Sequence, residues 1–442
     1  MPEQLITSEI ITLFKKGDLL ECGNYRPISL LCHIYKLLMM VIYQRIKEPL
    51  TDALQLSQAA YQKGRGTIEQ IQTMQQVIEK CNERNRNTVV CFVDFTKAFD
   101  SIDPQKLWGA LRKYTSVKPV YINLIARLYE NAKTRVRTDV GTTQMISLLR
   151  GVKQGDLPSA IMFCITLMVT LLHTFEEQHC GITIGGVEHT DESYADDIGI
   201  ITETSEQMNT ILERLKEFAA EFGLYINIKK TKIMYIGHHE PNIPCKIGDK
   251  ELEVVTSFEY LGRVISNNAD ETKAVEDRIG KGWGAFQKVV SIIADKHTSM
   301  ITKRKTYETY VLPTIMYASE TISWKPSLVK KMENFQNHIM RWMTGKRLID
   351  KTPIRTLFEL TKLKPMKEEI RTRKMKWFGH MKRSNLPVRT TVEGHIEGKR
   401  SRGRPRRRWI DDIAEWVNVS WTRINAAARD RENWRRACMI QR

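Results

Sequence analysis

Two adjacent carboxylates, Asp196 and Asp197, interrupt the otherwise apolar stretch SYADDIGI at residues 193–200. Burying such charges without partners costs several kcal/mol per ion. The segment must therefore either turn through solvent or place the pair against something positive. Because successive side chains of a strand point to opposite faces, only a tight hairpin tip between Tyr194 and Ile200 turns both carboxylates toward one site. Taken alone, the pair predicts no more than such a turn.

A third carboxylate, Asp94, directly follows the apolar run TVVCFV at residues 88–93. That run is rich in β-branched residues and predicts a buried strand, so Asp94 is expected where the strand emerges. An aspartate in this place commonly forms a cap or a turn. Together with the pair at 196–197, however, it completes a set of hard oxygen ligands of the kind that Mg²⁺ binds. Two such ions would stabilise the attacking and leaving oxygens of a phosphoryl transfer.

The elements that must position these carboxylates alternate between strand and helix patterns up to about residue 265 and are mostly helical beyond it. Residues 30–46 and 160–172 predict well-buried helices, and the second is too short to cross a bilayer. Residues 204–222 have apolar side chains at helical spacing after a TSEQ capping box, and YINI and KIMYIG then predict strands. The fold class is therefore α+β, followed by a helical region and a basic C-terminal piece.

Charge is unevenly distributed along the 442 residues. Residues 371–442 hold 20 basic and 7 acidic residues, which is +13 of the net +18. A basic end of this kind indicates a polyanionic partner, most often nucleic acid, with a merely solvated tail as the alternative. The N-terminus does not resemble a signal peptide, and the eight cysteines show neither CxxC nor zinc-ligand spacing. We therefore expect an intracellular chain with reduced core cysteines.

Along the chain stand five segments, in this order: VVCFVDFTKAFD, RGVKQGD, SYADD, GLYINIKKTK and FEYLG. They resemble, in the same order, the palm motifs of reverse transcriptases, and the sequence is most similar to the enzymes of non-LTR (LINE-type) retrotransposons. NYRPISLL and QAAYQKGRGT resemble the fingers motifs of that family, and WFGHMKR and GKRSRGRPRRRWIDD resemble its C-terminal region. The resemblance therefore covers almost the whole chain.

The resemblance implies a right-hand polymerase architecture. Residues 1–265 would form fingers and palm with an antiparallel palm sheet, residues 266–350 a helical thumb, and residues 351–442 a basic nucleic-acid-binding region. The implied activity is RNA-directed DNA polymerisation, in which two Mg²⁺ ions, or Mn²⁺, assist transfer of a nucleotide to a primer 3′-OH. The implied partners are the RNA template, the DNA primer or target and dNTPs. No membrane is implied, protein partners stay undefined, and the expected location is the nucleus or else the cytoplasm.

Individual roles follow from the resemblance, residue by residue. Asp94, Asp196 and Asp197 would hold metal together with the carbonyl of Phe95. Lys230, within INIKKTK, would protonate the pyrophosphate leaving group, with a solvated basic strand as the alternative. Phe99 would lie beneath the incoming sugar and exclude a ribose 2′-OH, with a plain core phenylalanine as the alternative. Lys63 and Arg65 would bind the triphosphate. Gln154 and Gly155 would contact base or template.

The basic run near the C-terminus contains RGRP, which resembles the core of an AT-hook, a minor-groove binder. The arginines expected to bind nucleic acid here are Arg402, Arg404, Arg406, Arg407 and Arg408.

The sequence also departs from the family. Relatives usually have arginine where this chain has Gln62, and they continue RGVKQGD with Pro-Leu-Ser-Pro where this chain has LPSA. Many relatives carry an upstream endonuclease, and we expect none here because only about 24 residues precede NYRPISLL. These departures favour an alternative function, a decayed or host-retained copy that binds nucleic acid without catalysis. The intact carboxylates and Lys230 argue against it.

Overall fold

The computed structural model describes residues 2–237, 243–400, 406–417 and 421–439. Over the first 266 residues, strands and helices alternate as the sequence predicts. In chain order these elements are α1 (Glu3–Ile6), β1 (Thr7–Phe14), β2 (Tyr25–Leu31), α2 (His33–Ala53), α3 (Thr67–Arg84), β3 (Thr88–Val93), α4 (Ala98–Ser101), α5 (Pro104–Tyr114), α6 (Pro119–Glu130), β4 (Lys133–Thr138), β5 (Gly141–Thr142), β6 (Ile146–Ser147), α7 (Ser159–Phe175), β7 (Ile182–Ile184), β8 (Val187–His189), β9 (Asp191–Tyr194), β10 (Asp197–Thr202), α8 (Ser205–Glu221), β11 (Lys232–Ile236), β12 (Lys246–Ile247), β13 (Lys250–Glu251), β14 (Glu253–Val254), β15 (Ser257–Tyr260) and β16 (Arg263–Ser266).

Beyond residue 266 the regular structure of the described chain is helical, and this confirms an α+β fold followed by helices. None of the described helices has both the length and the apolar character needed to cross a bilayer. The helices are α9 (Thr272–Ala294), α10 (Met300–Thr306), α11 (Leu312–Ile315), α12 (Pro326–Thr344), α13 (Ile354–Thr361), α14 (Met366–Arg383), α15 (Pro387–Glu393), α16 (Asp411–Val417), α17 (Trp421–Arg429) and α18 (Arg431–Met439).

A five-stranded sheet, ordered β14-β11-β3-β10-β9, positions the candidate carboxylates. Every pairing in it is antiparallel except that of β11 with β14, which agrees with the antiparallel palm sheet that we expected. All six residues of β3 are buried, because both faces of this central strand are covered. Val89, Cys91 and Val93 belong to the cluster that includes α7 and α8, whereas Val90 and Phe92 pack with α3.

Local patterns predicted the helices better than their ends. α8 begins after a capping box in which Thr204 accepts from the N–H of Gln207 and the Gln207 side chain accepts from the N–H of Thr204. The helix expected over residues 30–46 begins only at His33, because the chain up to Leu31 pairs with β1. The strand predicted for YINI is wrong: there, Ile226 forms only an isolated bridge with Phe95.

The helical region has its own hydrophobic cluster, which extends from Val275 to Ile370. It contains Leu357, Leu363 and Met366, which lie beyond the expected boundary at residue 350. One core therefore continues across that position, and α13 and the start of α14 pack with the helices before them.

Residues 406–417 contact α3, α14 and the segment 319–324, and we call this region of contact the C-terminal junction. Trp409 is fully buried. Its backbone N–H donates to the Glu79 carboxylate at 3.1 Å, and its indole Nε1 donates to the Glu320 carbonyl at 2.7 Å. A residue of the C-terminal segment thus connects α3 to the helical region.

A buried ion pair lies at the centre of the C-terminal junction. Lys374 and Asp412 have side chains 0% exposed, with Nζ 2.5 Å from Oδ2. Asp412 also accepts from Nε of Arg407 at 2.7 Å and from the backbone N–H of Trp324 at 2.8 Å. The lysine lies over the Trp409 ring, 4.7 Å from its centroid. Each charge is therefore surrounded by partners, which a buried ion requires.

Candidate active site

The Asp196–Asp197 pair lies at the tip of the β9–β10 hairpin. Tyr194 pairs with Asp197, so Ala195 and Asp196 form the turn between the strands. Ala195 has φ +54°, an unusual backbone conformation for a non-glycine residue. The hairpin predicted from the sequence is therefore present, and it carries both carboxylates beyond the buried part of the sheet.

Gln58, within the QAAYQKGRGT segment, fixes this turn. Its Oε1 accepts from the Ala195 N–H at 2.9 Å, and its Nε2 donates to the Ala195 carbonyl at 3.3 Å. The next residue, Ala59, donates its N–H to the Ser193 carbonyl at 3.0 Å. Sequence reasoning missed Gln58 as a site residue. The sequence signal that could have indicated this role is that Gln58 is the first residue of the QAAYQKGRGT motif.

Asp94 follows β3 at the edge of the sheet where the hairpin turns. Ile198 pairs with Val93, so the antiparallel register brings Asp94 opposite Asp197. The Asp94 carbonyl accepts from the Asn227 N–H at 2.7 Å, and its own N–H donates to Thr231 Oγ1 at 3.3 Å. The segment 225–231 therefore holds Asp94 in place, although it is not the strand that we expected.

The three carboxylates interact electrostatically. Burial raises the pKa of Asp196, and repulsion from Asp94 adds to the effect. Burial also raises the pKa of Asp197 to about 6, with repulsion from Asp196 and then Asp94 as further causes. Full ionisation of this cluster is therefore unfavourable without a compensating cation.

The donor set fits a hard divalent cation. Asp94 Oδ2 is buried and accepts no hydrogen bond from any described residue, so this oxygen remains available as a ligand. In the described ranges, no three side chains among His, Cys, Asp and Glu already form a closed metal-binding group. The three aspartates would therefore have to adjust their side chains around an ion. Their oxygens are the ligands that Mg²⁺ prefers.

Lys230 is the lysine of INIKKTK that lies at the acidic cluster. Its Nζ is 3.4 Å from Asp94 Oδ2, and its side chain is 68% exposed. Lys232 instead pairs with Glu253 at 2.6 Å. The alternative interpretation was a solvated basic strand. The two lysines instead have different partners, because Lys232 pairs with Glu253 and Lys230 lies at the acidic cluster.

The RGVKQGD loop packs beside the segment that follows Asp94. Gly151 has φ +83°, and a Cβ on it would lie 2.7 Å from the Asp100 Cα, so only glycine fits there. Gln154 Nε2 donates to Asp100 Oδ1 at 3.1 Å, and Val152 donates its N–H to the Phe99 carbonyl at 2.8 Å. Half-buried Phe99 stacks on Phe163 with ring centroids 4.5 Å apart.

The two fingers cations have different environments. Lys63 is exposed, whereas the Arg65 side chain is only 5% exposed and pairs with Glu69. Arg65 also donates to the carbonyls of Gln58 at 3.0 Å and Leu56 at 2.7 Å. Arg65 therefore organises the turn that contacts the β9–β10 hairpin, and Lys63 is the cation that this turn presents to solvent.

A cleft of about 430 Å³ opens beside Asp197. The FEYLG segment lines it from Phe258 to Gly262, together with Thr67 and Tyr194. The last of the five palm-like segments thus borders the acidic cluster.

Those arginines of the basic run that the structure describes have partners away from this site. Arg402 and Arg404 lie outside the described residues. Arg406 donates to the Asn268 carbonyl at 2.6 Å. Arg407 pairs with Asp412 and Glu415, and Arg408 pairs with Asp411.

Comparison with known proteins identifies the family. Over 289 residues the chain is 25% identical to the transposon TX1 149 kDa protein of Xenopus laevis, covering 63% of this chain and 22% of that one. Over 331 residues it is 24% identical to the RNA-directed DNA polymerase from mobile element jockey of Drosophila funebris, covering 72% and 35%. Apo telomerase from Candida tropicalis superimposes with a TM-score of 0.45 and 13% identity, covering 89% of this chain and 70% of that one.

The curated relatives are much longer than the aligned region, since the chain spans 22% of one and 35% of the other. The model of the family described as reverse transcriptase (RNA-dependent DNA polymerase) matches residues 14–265. That match covers more than half of the 442 residues and includes all three aspartates, so the chain belongs to the reverse transcriptase family.

Proposed function

We propose that this chain is the RNA-directed DNA polymerase of a non-LTR retrotransposon. The observation that carries the proposal is the meeting of Asp94 with the Asp196–Asp197 turn at one edge of the central sheet. Asp94, the carbonyl of Phe95, Asp196 and Asp197 would hold two Mg²⁺ ions, or Mn²⁺. Bound there, the ions would supply Lewis-acid stabilisation of the attacking and leaving oxygens.

In the proposed reaction the primer 3′-oxygen forms a bond to the α-phosphorus of a dNTP while the bond to pyrophosphate breaks. The hydroxyl proton leaves to solvent, and Lys230 donates a proton to the pyrophosphate. Lys230 is exposed and 3.4 Å from Asp94, so it can turn toward a bound triphosphate. Lys63 adds a second cation for the phosphates. Phe99 would exclude a ribose 2′-OH, and Gln154 and Gly155 would contact base or template.

The proposal is tested by primer extension on an RNA template with dNTPs. We expect incorporation that needs Mg²⁺ or Mn²⁺ and prefers dNTPs to rNTPs. RNA binding without incorporation would instead support the alternative of a catalytically decayed copy. A preference for rNTPs would identify an RNA-directed RNA polymerase.

We also propose a nucleic-acid path along α14 in the basic C-terminal region. Arg373, Lys376 and His380 occupy one face of the helix and line a cleft of about 460 Å³ opposite the turn Gly64–Gly66. Glu69 also borders this cleft, but Arg65 neutralises it. The other carboxylate there is Glu320; burial raises its pKa, and the positive charge of Arg373 opposes that effect.

The salt dependence of RNA binding tests the α14 path. If about six phosphates are neutralised, log K should fall with log salt at a slope near −5. The double variant Arg373→Ala/Lys376→Ala should make the slope shallower by about 2, because each lost phosphate contact removes about 0.9. Lys106→Ala/Lys113→Ala removes the same charge from exposed positions of α5 and should leave the slope unchanged. Equal slopes for wild type and the α14 variant would contradict the path.

The same basic end would serve nuclear import. We therefore propose an intracellular protein that acts in the nucleus.

A further inference from the structure

Lys153, in the RGVKQGD loop, is a buried lysine for which the proposed mechanism has no use. It is 2% exposed, and its Nζ donates no hydrogen bond to any described residue. It lies instead over two aromatic rings, 4.7 Å from the centroid of Tyr35 in α2 and 4.9 Å from that of Tyr129 in α6. Cation–π attraction of this kind strengthens when the cation is desolvated. Burial lowers the pKa of Lys153 to about 8, and the charge of Asp156 opposes that effect.

Asp156 completes this group three residues later. Its Oδ2 accepts from the hydroxyls of Tyr35 at 2.7 Å and Tyr129 at 3.5 Å, and its Oδ1 accepts from the Leu157 N–H at 2.9 Å. The backbone N–H of Lys153 donates to the Tyr129 hydroxyl at 3.3 Å. Both ends of the tetrapeptide 153–156 are therefore attached to the same two tyrosines.

The two residues between these anchors contact other parts of the fold, namely Asp100 and β2. Gln154 donates to Asp100, and its carbonyl accepts from the Ser29 N–H at 2.7 Å. Gly155 has φ +121°, and a Cβ there would lie 2.8 Å from the Ser29 carbonyl oxygen. The conformation of Gln154 and Gly155 is thus determined on one side by β2 and on the other by the anchors at 153 and 156.

We infer that Lys153 is a positioning residue for template-directed nucleotide selection. Held between the Tyr35 and Tyr129 rings, it keeps Gln154 and Gly155 where they contact the template base or its incoming partner. This inference rests on the proposed polymerase function, because it assigns a purpose to the loop within that reaction. Lys153 acts through its neighbours and does not touch substrate itself.

Lys153→Met is the informative substitution, because methionine fills the space between the rings but carries no charge to attract Asp156. We expect kcat/KM for correctly paired dNTPs to fall between about 10- and 100-fold, the effect of a small misplacement of a positioning group. We also expect weaker discrimination against mismatched dNTPs. Lys303→Met is the matched control, because Lys303 is likewise buried and donates to the Met343 carbonyl at 2.9 Å within the helical region. It should lower the thermal midpoint without changing discrimination.

Two measurements on the full chain decide the matter: single-nucleotide incorporation opposite matched and mismatched RNA bases, and hydrogen exchange of residues 151–157. The inference is overturned if Lys153→Met lowers the thermal midpoint as Lys303→Met does but keeps wild-type discrimination and wild-type exchange in the loop. A wild-type protein that incorporates nothing removes the proposed function instead. In that case the hydrogen exchange of residues 151–157 still tests the positioning role. Lys153→Met should accelerate this exchange, and Lys303→Met should not.

Discussion

Asp196→Ala is expected to abolish nucleotide incorporation, with a loss of at least about a thousandfold, which corresponds to about 4 kcal/mol of transition-state stabilisation. Asp196 lies in the hairpin turn, where burial and Asp94 raise its pKa. Its removal would take away a metal ligand, and a bound metal is worth several kcal/mol to a phosphoryl transfer. The fold should persist, because the backbone of the turn is held by Gln58.

The thermal midpoint gives a second readout that does not depend on activity. Without metal, Asp196→Ala should be at least as stable as wild type, because it removes a charge that repels Asp94 and Asp197. With Mg²⁺, the wild-type midpoint should rise and that of the variant should rise less. Glu203→Gln, just beyond the other end of β10, is the control and should behave as wild type in both assays. Incorporation by Asp196→Ala within tenfold of wild type would contradict the assigned role.

Asp412→Ala is expected to lower the free energy of unfolding by about 3–5 kcal/mol, the cost of leaving a buried charge without its partner. The variant would remove the carboxylate partner of the Lys374 ammonium, which is 0% exposed. It would also remove the hydrogen-bond acceptor of the Trp324 backbone N–H. Lys374→Ala should cost less, because Arg407 still neutralises Asp412 from 2.7 Å. The order of the two effects therefore follows because Asp412 keeps a hydrogen-bonded counter-charge, whereas Lys374 keeps only the neutral Ile322 carbonyl and aromatic rings as direct partners.

Urea unfolding of the full chain measures this order through the midpoint and slope. The adjacent Asp411→Ala is the control, since its pair with Arg408 is partly exposed and such pairs contribute at most about 1 kcal/mol. The double variant Lys374→Met/Asp412→Leu should recover much of the loss, because apolar replacements of a buried pair are often tolerated. If Asp412→Ala were no more destabilising than Asp411→Ala, the C-terminal junction would not depend on the ion pair.

Features of the site that arise from neighbouring residues could be predicted from the sequence. The β3 strand, the hairpin tip at 195–196 and the capping box at Thr204 each depend on a few consecutive side chains, and each is present. The contact from Gln58 to Ala195 spans 137 positions, and no local pattern encodes it. The YINI prediction failed for the same reason. That segment forms hydrogen bonds with Thr96 and with the Asp94 carbonyl instead of extending as a strand.

The count of charged residues predicted a nucleic-acid partner. It did not predict which lysine and arginine side chains are free of acidic partners and so able to bind phosphate. Arg65 was expected on a triphosphate, yet Glu69 stands four residues later, the spacing at which a helix brings opposite charges together. Arg407 and Arg408 precede two aspartates in RRRWIDD and pair with both. Each acidic partner was visible in the sequence, but only the fold shows that the pairs are formed. On α14, by contrast, Lys376 and His380 are exposed, and Arg373 is half-buried with a hydrogen bond to the Met316 carbonyl.

The C-terminal junction has a consequence for the order in which the protein matures. Trp409 donates to Glu79 across 330 positions of sequence, so α3 cannot complete its contacts until residue 409 has left the ribosome. Long-range contacts of this kind slow folding, and larger proteins generally fold through partly formed intermediates. A nascent chain ending before residue 409 would leave the Glu79 carboxylate without the Trp409 N–H and Lys374 without Asp412. Premature termination before residue 409 is therefore expected to leave the C-terminal junction unformed.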